Sequence, residues 1–158
     1  MKRKIVSVLL TTGMIFSLTF SCQAAEAEAA GGATGPNGET ATPASEIQLT
    51  EEEKEQIREG GYTAAISMHY GGNDWATSQL EGLQATFDDL GIEVVAVTDA
   101  DFSAEQQVSD IETIMAKDPD IIVSIPTDAT ATADAFERVS EAGIKLVFMD
   151  NVPEGMTA

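Results

Sequence analysis

One cysteine, one histidine, one tryptophan and eight basic residues are all that 158 positions hold of the side chains most used for cross-links, metal sites, ring stacking and phosphate binding. Cys22 cannot form an internal disulfide, so it pairs with another chain, stays free or is modified. His69 has no serine or cysteine nucleophile near it in sequence, and a metal site needs further ligands, so it reads as a surface or capping residue and no metal is expected. The basic residues beyond Cys22, namely Lys54, Arg58, Lys117, Arg138 and Lys145, are scattered. A phosphate backbone demands clustered lysine and arginine, which excludes nucleic acid as a partner. The pair Gly71-Gly72 supplies neither a G-x-G-x-x-G pattern nor a loop ending in Gly-Lys-Ser/Thr, so a nucleotide cofactor has no cradle.

Long apolar runs are equally scarce. The one candidate, Ile5 to Phe20, follows Lys2, Arg3 and Lys4, is interrupted by Thr11, Thr12, Gly13 and Ser17, and gives way to small residues from Ser21. That pattern is a secretory signal over 1–21, shorter than the ~18 to 20 apolar residues of a spanning helix, with an uncleaved anchor as the alternative. The run Leu18-Thr19-Phe20-Ser21-Cys22 resembles a bacterial lipoprotein signal, in which the cysteine after a small residue becomes lipidated and N-terminal; the usual Leu three before the cysteine is here Thr19. Ordinary cleavage near Ala24 or Ala27 competes with lipidation of Cys22. Residues 22–49 are rich in Ala, Glu, Gly, Thr and Pro with little to bury, the composition of a flexible tether. All 27 acidic residues lie beyond Cys22 against five basic ones, a formal charge of −22, which reads as solubility at a cell surface.

What is present is a repeated sentence. Leu90-Gly91-Ile92-Glu93-Val94-Val95, Pro119-Asp120-Ile121-Ile122-Val123 and Ala142-Gly143-Ile144-Lys145-Leu146-Val147 each stop a helical pattern at Gly or Pro and begin a run of Ile, Leu and Val at once. Glycine takes a left-handed turn at little steric cost, and an unalternating apolar run implies a strand covered on both faces. The strands are expected at Tyr62 to Met68, Ile92 to Thr98, Asp120 to Ile125 and Ile144 to Met149. The helix between the first two carries Leu80, Leu83, Phe87 and Leu90 on one face; Ser103 caps the next, which buries Val108, Ile111, Ile114 and Met115. Pro119 ends it and biases Asp118 toward extended backbone. A last helix, from about Asp128 to Ala142, buries Ala131, Ala135, Phe136 and Val139. Ahead of them, Thr50 and Glu53 match a capping box and Gly60-Gly61 closes a short helix over 50–61, a spacer or a lid.

This order gives an α/β fold with a doubly wound parallel sheet, for which the strand order is taken as 2-1-3-4. Right-handed crossovers then put the first helix of the repeat on one face and the next two on the other, leaving strands three and four under-covered. A complete domain would avoid this, so the chain is expected to be apparently truncated, the front portion of a longer protein.

Ligands of such folds bind at the strand C-terminal ends. The loop after strand one, His69-Tyr70-Gly71-Gly72-Asn73-Asp74-Trp75, lacks the hydroxyls that flavodoxins use for flavin phosphate, and His69-Tyr70 replaces the acids of a phosphorylation receiver. Trp75 offers an apolar face suited to a sugar ring, with Asn73 beside it; equally, Trp75 could be the first buried residue of its helix. Asp99 and Asp101 flank the end of strand two, Asp99 as ligand or cap and Asp101 as cap. Asp128 follows strand three, Asp150 and Asn151 strand four, and a carboxylate accepting two adjacent hydroxyls is an economical way to hold a carbohydrate.

On the segments Ala64-Ala65-Ile66-Ser67-Met68 through Asn73-Asp74-Trp75 to Glu81-Gly82, Asp120 to Asp128, and Gly143 to Asn151, residues 62–158 resemble the N-terminal lobe of type I periplasmic binding proteins, the ribose-binding branch that serves bacterial sugar ABC transporters. The resemblance implies that Asn73, Trp75 and Asp150 contact the ligand. Asn151 stands where ribose binders carry Arg and Ala76 where they carry a second aromatic, two departures. It implies a non-enzymatic, cofactor-free receptor for a small-molecule sugar or related polyol. A lipid anchor at Cys22 would hold it on the extracytoplasmic face of the membrane, beside a transporter permease. Asn73, Trp75, Asp150 and Asn151 would form the site, with Asp128 and His69 at its rim. A ligand-sensing module of a signalling system with the same fold is the alternative reading; an exported hydrolase fragment lacks nucleophile and metal ligands.

Overall fold

The computed structural model describes Thr40 and residues 42–156; the expected signal over 1–21, Cys22 and most of the expected tether lie outside the described residues. The folded part begins at α1 (Glu51–Gly60), opened by the expected capping box: Thr50 Oγ1 accepts the Glu53 N–H at 3.2 Å and Glu53 Oε2 accepts the Thr50 N–H at 2.8 Å. Gly61 closes it at φ 64°. The helix docks rather than drifts, because Ile57 packs against the core and Arg58 Nε donates to the Asp89 carbonyl at 3.1 Å.

Then follow β1 (Thr63–Met68), α2 (Asp74–Asp89), β2 (Glu93–Asp99), α3 (Ala104–Met115), β3 (Ile121–Ser124), α4 (Ala133–Glu141) and β4 (Lys145–Phe148). The strands form one sheet in the order β2-β1-β3-β4, every pair parallel, as the punctuation requires. Gly91 and Gly143 take the left-handed backbone that lets a helix turn directly into a strand, at φ 66° and 84°.

Alternation along β1 divides the interior. Ala64, Ile66 and Met68 join Phe87, Leu80 and Leu83 of α2 on one face; Ala65 joins Ile111 and Ile114 of α3 and Phe136 and Val139 of α4 on the other. The second face is well filled, with Phe136 fully buried and edge-on to Phe148 at 5.1 Å. Among the described residues, the first is covered by α2 and the side of α1 alone. A groove of about 660 Å³ therefore runs between α2 and strands β3 and β4, floored by Ile121, Val123, Val147 and Met149, and Val147 is 49% exposed. The expected under-covered face is present.

Two local expectations fail. Asp118 is left-handed, at φ 52°, and not extended. Here it does the work that Gly91 and Gly143 do in the sister turns; an aspartate visits this region more readily than most residues, and Pro119 then enters the next strand. The last helix starts at Ala133 rather than near Asp128, and Ala131 is exposed. Asp128 Oδ1 accepts the N–H groups of Thr130 and Ala131 at 3.0 and 2.7 Å, and this local turn outcompetes the helix for those donors.

Candidate functional site

Four loops leave the C-terminal edge of the sheet side by side. After β1, the backbone carbonyl of His69 accepts the Phe102 N–H at 2.8 Å, so the first two loops continue the contact of their strands. The Asp99 carboxylate ties them further: Oδ2 accepts the Gly71 N–H and Oδ1 the Asp101 N–H, each at 3.0 Å. Asp99 is thus neither helix cap nor free ligand group but the pin between two loops. The expected cap at Asp101 is corrected as well. Ser103 caps α3, accepting the Gln106 N–H at 3.2 Å, while Asp101 sits before it at φ 46°.

Asn73 is the N-cap of α2; its Oδ1 accepts the Ala76 N–H at 2.8 Å, which leaves the Nδ2 donors for a ligand. Trp75, one residue into the helix, is 50% exposed, whereas Ala76 is buried, so the alternative in which Trp75 fills the core fails. Helical geometry explains this, since adjacent residues lie about 100° apart around the axis and only one of them can face the sheet. His69 is half-buried, meets Trp75 edge-on at 6.4 Å and Phe102 edge-on at 5.2 Å, and its Nδ1 has no hydrogen-bond partner among the described residues.

On the other side of β1, the loop after β3 is held from beneath. Gln107 of α3 is fully buried; its Nε2 donates to the Ile125 carbonyl at 2.9 Å and its Oε1 accepts the Thr127 N–H at 2.7 Å. Ser124 Oγ donates to the Ser67 carbonyl at 2.9 Å across the same buried floor. Asp128 spends one carboxylate oxygen on its own turn. Asn151 Nδ2 donates to the Pro126 carbonyl at 3.1 Å, tying the loop after β4 to the loop after β3. Asp150 next to it is exposed, left-handed at φ 65°, and without a hydrogen bond or ion pair among the described residues. The expected residues therefore share one edge but not one role. Trp75 and Asp150 present free surfaces, Asn73, Asn151 and Asp128 are partly committed to the loops, and His69 is packed among rings.

Sequence reasoning missed Gln107, Tyr70 and Phe102. Gln107 carries a signal, for it stands four before Ile111 and seven before Ile114, on the apolar stripe where a polar residue must find buried partners. Phe102 lies in a loop without periodicity and gave none. Among the described residues, no group of three or more His, Cys, Asp or Glu is placed to hold a metal ion, and no helix is long and apolar enough to cross a membrane.

The sheet is parallel and doubly wound, and its C-terminal edge carries an exposed tryptophan and a carboxylate unpaired among the described residues; in open α/β folds of this kind that edge is where ligands bind. The chain belongs to the periplasmic binding protein family, whose domain matches residues 64–158. Among solved structures, it is similar to an ABC transporter periplasmic solute-binding protein from Actinobacillus succinogenes with bound D-allose, at 27% identity and a TM-score of 0.55, over 60% of this chain and 33% of that one. It shares the fold of a Caulobacter myo-inositol binding protein bound to myo-inositol, at 20% identity and a TM-score of 0.56, over 62% and 33% of the two chains. The same holds for a sugar transporter from Clostridium phytofermentans, at 24% identity and a TM-score of 0.55, over 61% and 36%. The chain thus spans about a third of the length of these proteins. Comparison with curated proteins finds no match.

Proposed function

We propose that this chain provides the N-terminal lobe of an extracytoplasmic solute receptor for a sugar or polyol, handing its ligand to an ABC transporter permease and performing no chemistry of its own. The observation that carries the reading is the presence, on one edge, of a half-exposed Trp75 and of an exposed Asp150 in left-handed backbone, unpartnered among the described residues. A non-glycine residue in that region is held there by its surroundings at a cost, and such positions concentrate at functional sites. Trp75 would stack on the apolar face of the ring, the Asp150 carboxylate would accept hydroxyl hydrogen bonds, and Asn73 Nδ2 would donate beside them. The fold of the neighbours that hold D-allose and myo-inositol supports a polyhydroxylated ligand.

A second lobe, closing over this edge by a hinge, would supply the remaining polar partners and exclude water. Lipidation of Cys22 would tether the receptor to the membrane. The testing experiment is a thermal-shift screen of monosaccharides, polyols, nucleosides and amino acids, since a ligand that binds the folded state alone raises its melting temperature by mass action. A shift with a sugar or polyol, accompanied by a change in the fluorescence of the single tryptophan, supports the reading; a shift with an amino acid alone overturns the carbohydrate assignment.

A further inference from the structure

We propose that Tyr70, Asp101 and Phe102 form a second ring-stacking subsite next to Trp75, fitting the receptor to a ligand of disaccharide length; this rests on the sugar-binding reading above. Phe102 is 60% exposed, yet its plane is fixed: it stacks on Tyr70 with centroids 4.5 Å apart and planes 17° from parallel. It also meets His69 edge-on at 5.2 Å, and His69 meets Trp75 at 6.4 Å. The four rings make one aromatic strip across the loops after β1 and β2.

Position extends the strip away from the carboxylate. Asp150 follows β4 at one edge of the sheet and Phe102 follows β2 at the other, three strand spacings or about 14 Å apart. That span exceeds one pyranose ring. A ring seated by Trp75 and Asp150 leaves Phe102 uncovered, and a second, glycosidically linked ring would lie on it.

The backbone gives the independent observation. Asp101 and Phe102 are consecutive non-glycine residues in the left-handed region, at φ 46° and 59°. They are kept there by the Asp99 Oδ1 bond to the Asp101 N–H, the Phe102 N–H bond to the His69 carbonyl and a Ser103 N–H bond to the Ala100 carbonyl at 2.8 Å. Strain of this kind holds a large apolar ring 60% exposed while stacking one of its faces on Tyr70. The residue before Phe102, Asp101, is exposed, and its carboxylate accepts no hydrogen bond among the described residues. An apolar face flanked by an acceptor is the complement of a sugar, whose C–H faces are apolar and whose rim is hydroxylated.

The test is saturation-transfer NMR on the full chain with D-glucose, D-allose, cellobiose, lactose and maltose as probes, a method that reads weak binding. Expected are transfer from protein to both rings of at least one disaccharide, and loss of transfer to one ring in Phe102→Ala. That variant should also weaken the disaccharide about three- to tenfold while leaving the monosaccharides unchanged. Phe102→Trp should restore it, and Trp75→Ala should weaken both classes. Disaccharide contact that survives Phe102→Ala, monosaccharide binding with no transfer to a second ring, or equal weakening of both classes overturns the second subsite alone. Absence of transfer to all five sugars, and to myo-inositol run beside them, overturns the functional reading and this inference with it.

Discussion

Asp99 reaches across from the end of β2 to accept the backbone N–H of Gly71 at 3.0 Å, and a Cβ on Gly71 would lie 2.8 Å from the same oxygen. The absence of a side chain at position 71 is what allows the two loops to be joined. Asp99→Ala should raise hydrogen exchange at the Gly71 and Asp101 amides roughly tenfold, about 1.4 kcal/mol of local opening. Asp99→Asn keeps one carbonyl acceptor and should protect only one of the two. Equal protection in all three proteins would show that the loops stand without the pin.

Asp150→Gly separates stability from binding. Glycine reaches φ 65° freely, so the variant should gain about 1 kcal/mol in urea denaturation while losing affinity for the sugar that wild type binds. Asp150→Ala keeps the strain and should lose affinity without the gain. An Asp150→Gly protein that binds as wild type does would remove Asp150 from the site.

Gln107→Leu should cost about 2 to 3 kcal/mol of unfolding free energy, because it leaves the buried Ile125 carbonyl and the Thr127 N–H without their partner. Amide exchange should rise first at Thr127. A neutral result would mean that another group takes over both bonds.

The groove between α2 and strands β3 and β4 should bind a hydrophobic reporter dye. Val147→Lys, on its exposed floor, should lower the dye signal and shift stability by no more than about 0.5 kcal/mol. Undiminished dye fluorescence would place the exposed apolar surface elsewhere.

The start of α1 should respond to acid. The Thr50 backbone N–H, and after it the Thr50 hydroxyl, hold the Glu53 carboxyl below its ordinary value. A depressed folded pKa contributes stability above the unfolded value, near pH ~4.3, and loses it as pH falls through the lower, folded one. Carboxyl NMR titration of Glu53 should show a low midpoint that moves part-way up in Thr50→Ala, where the backbone donor remains. An unmoved midpoint would assign the whole effect to that donor.

Much of this was legible in the chain. Gly91 and Gly143 mark two helix-to-strand turns because no other residue takes that backbone as cheaply, and the unbroken Ile-Ile-Val marks β3 as a strand between two others. Once the strand order is taken as 2-1-3-4, the poorly covered face follows from counting helices under a handedness rule. Asp118 and Asp128 were misread for one shared reason. Each carries a short polar side chain at a helix boundary, where local bonds and turn strain decide between conformations that differ by about 1 kcal/mol, too little for a pattern to reveal.

The sequence alone determined the repeat, the parallel sheet and the edge at which to look, because periodicity and turn chemistry are properties of neighbours along the chain. Only the tertiary structure decided what each candidate does there. Asn73 is tied into a cap, Asn151 and Asp99 into loop-to-loop bonds, and Trp75 and Asp150 stay free, since those outcomes depend on which residues from distant segments arrive within about 3 Å. Phe102 belongs wholly to this second class. Its stacking on Tyr70 joins loops from two strands that no sequence spacing connects.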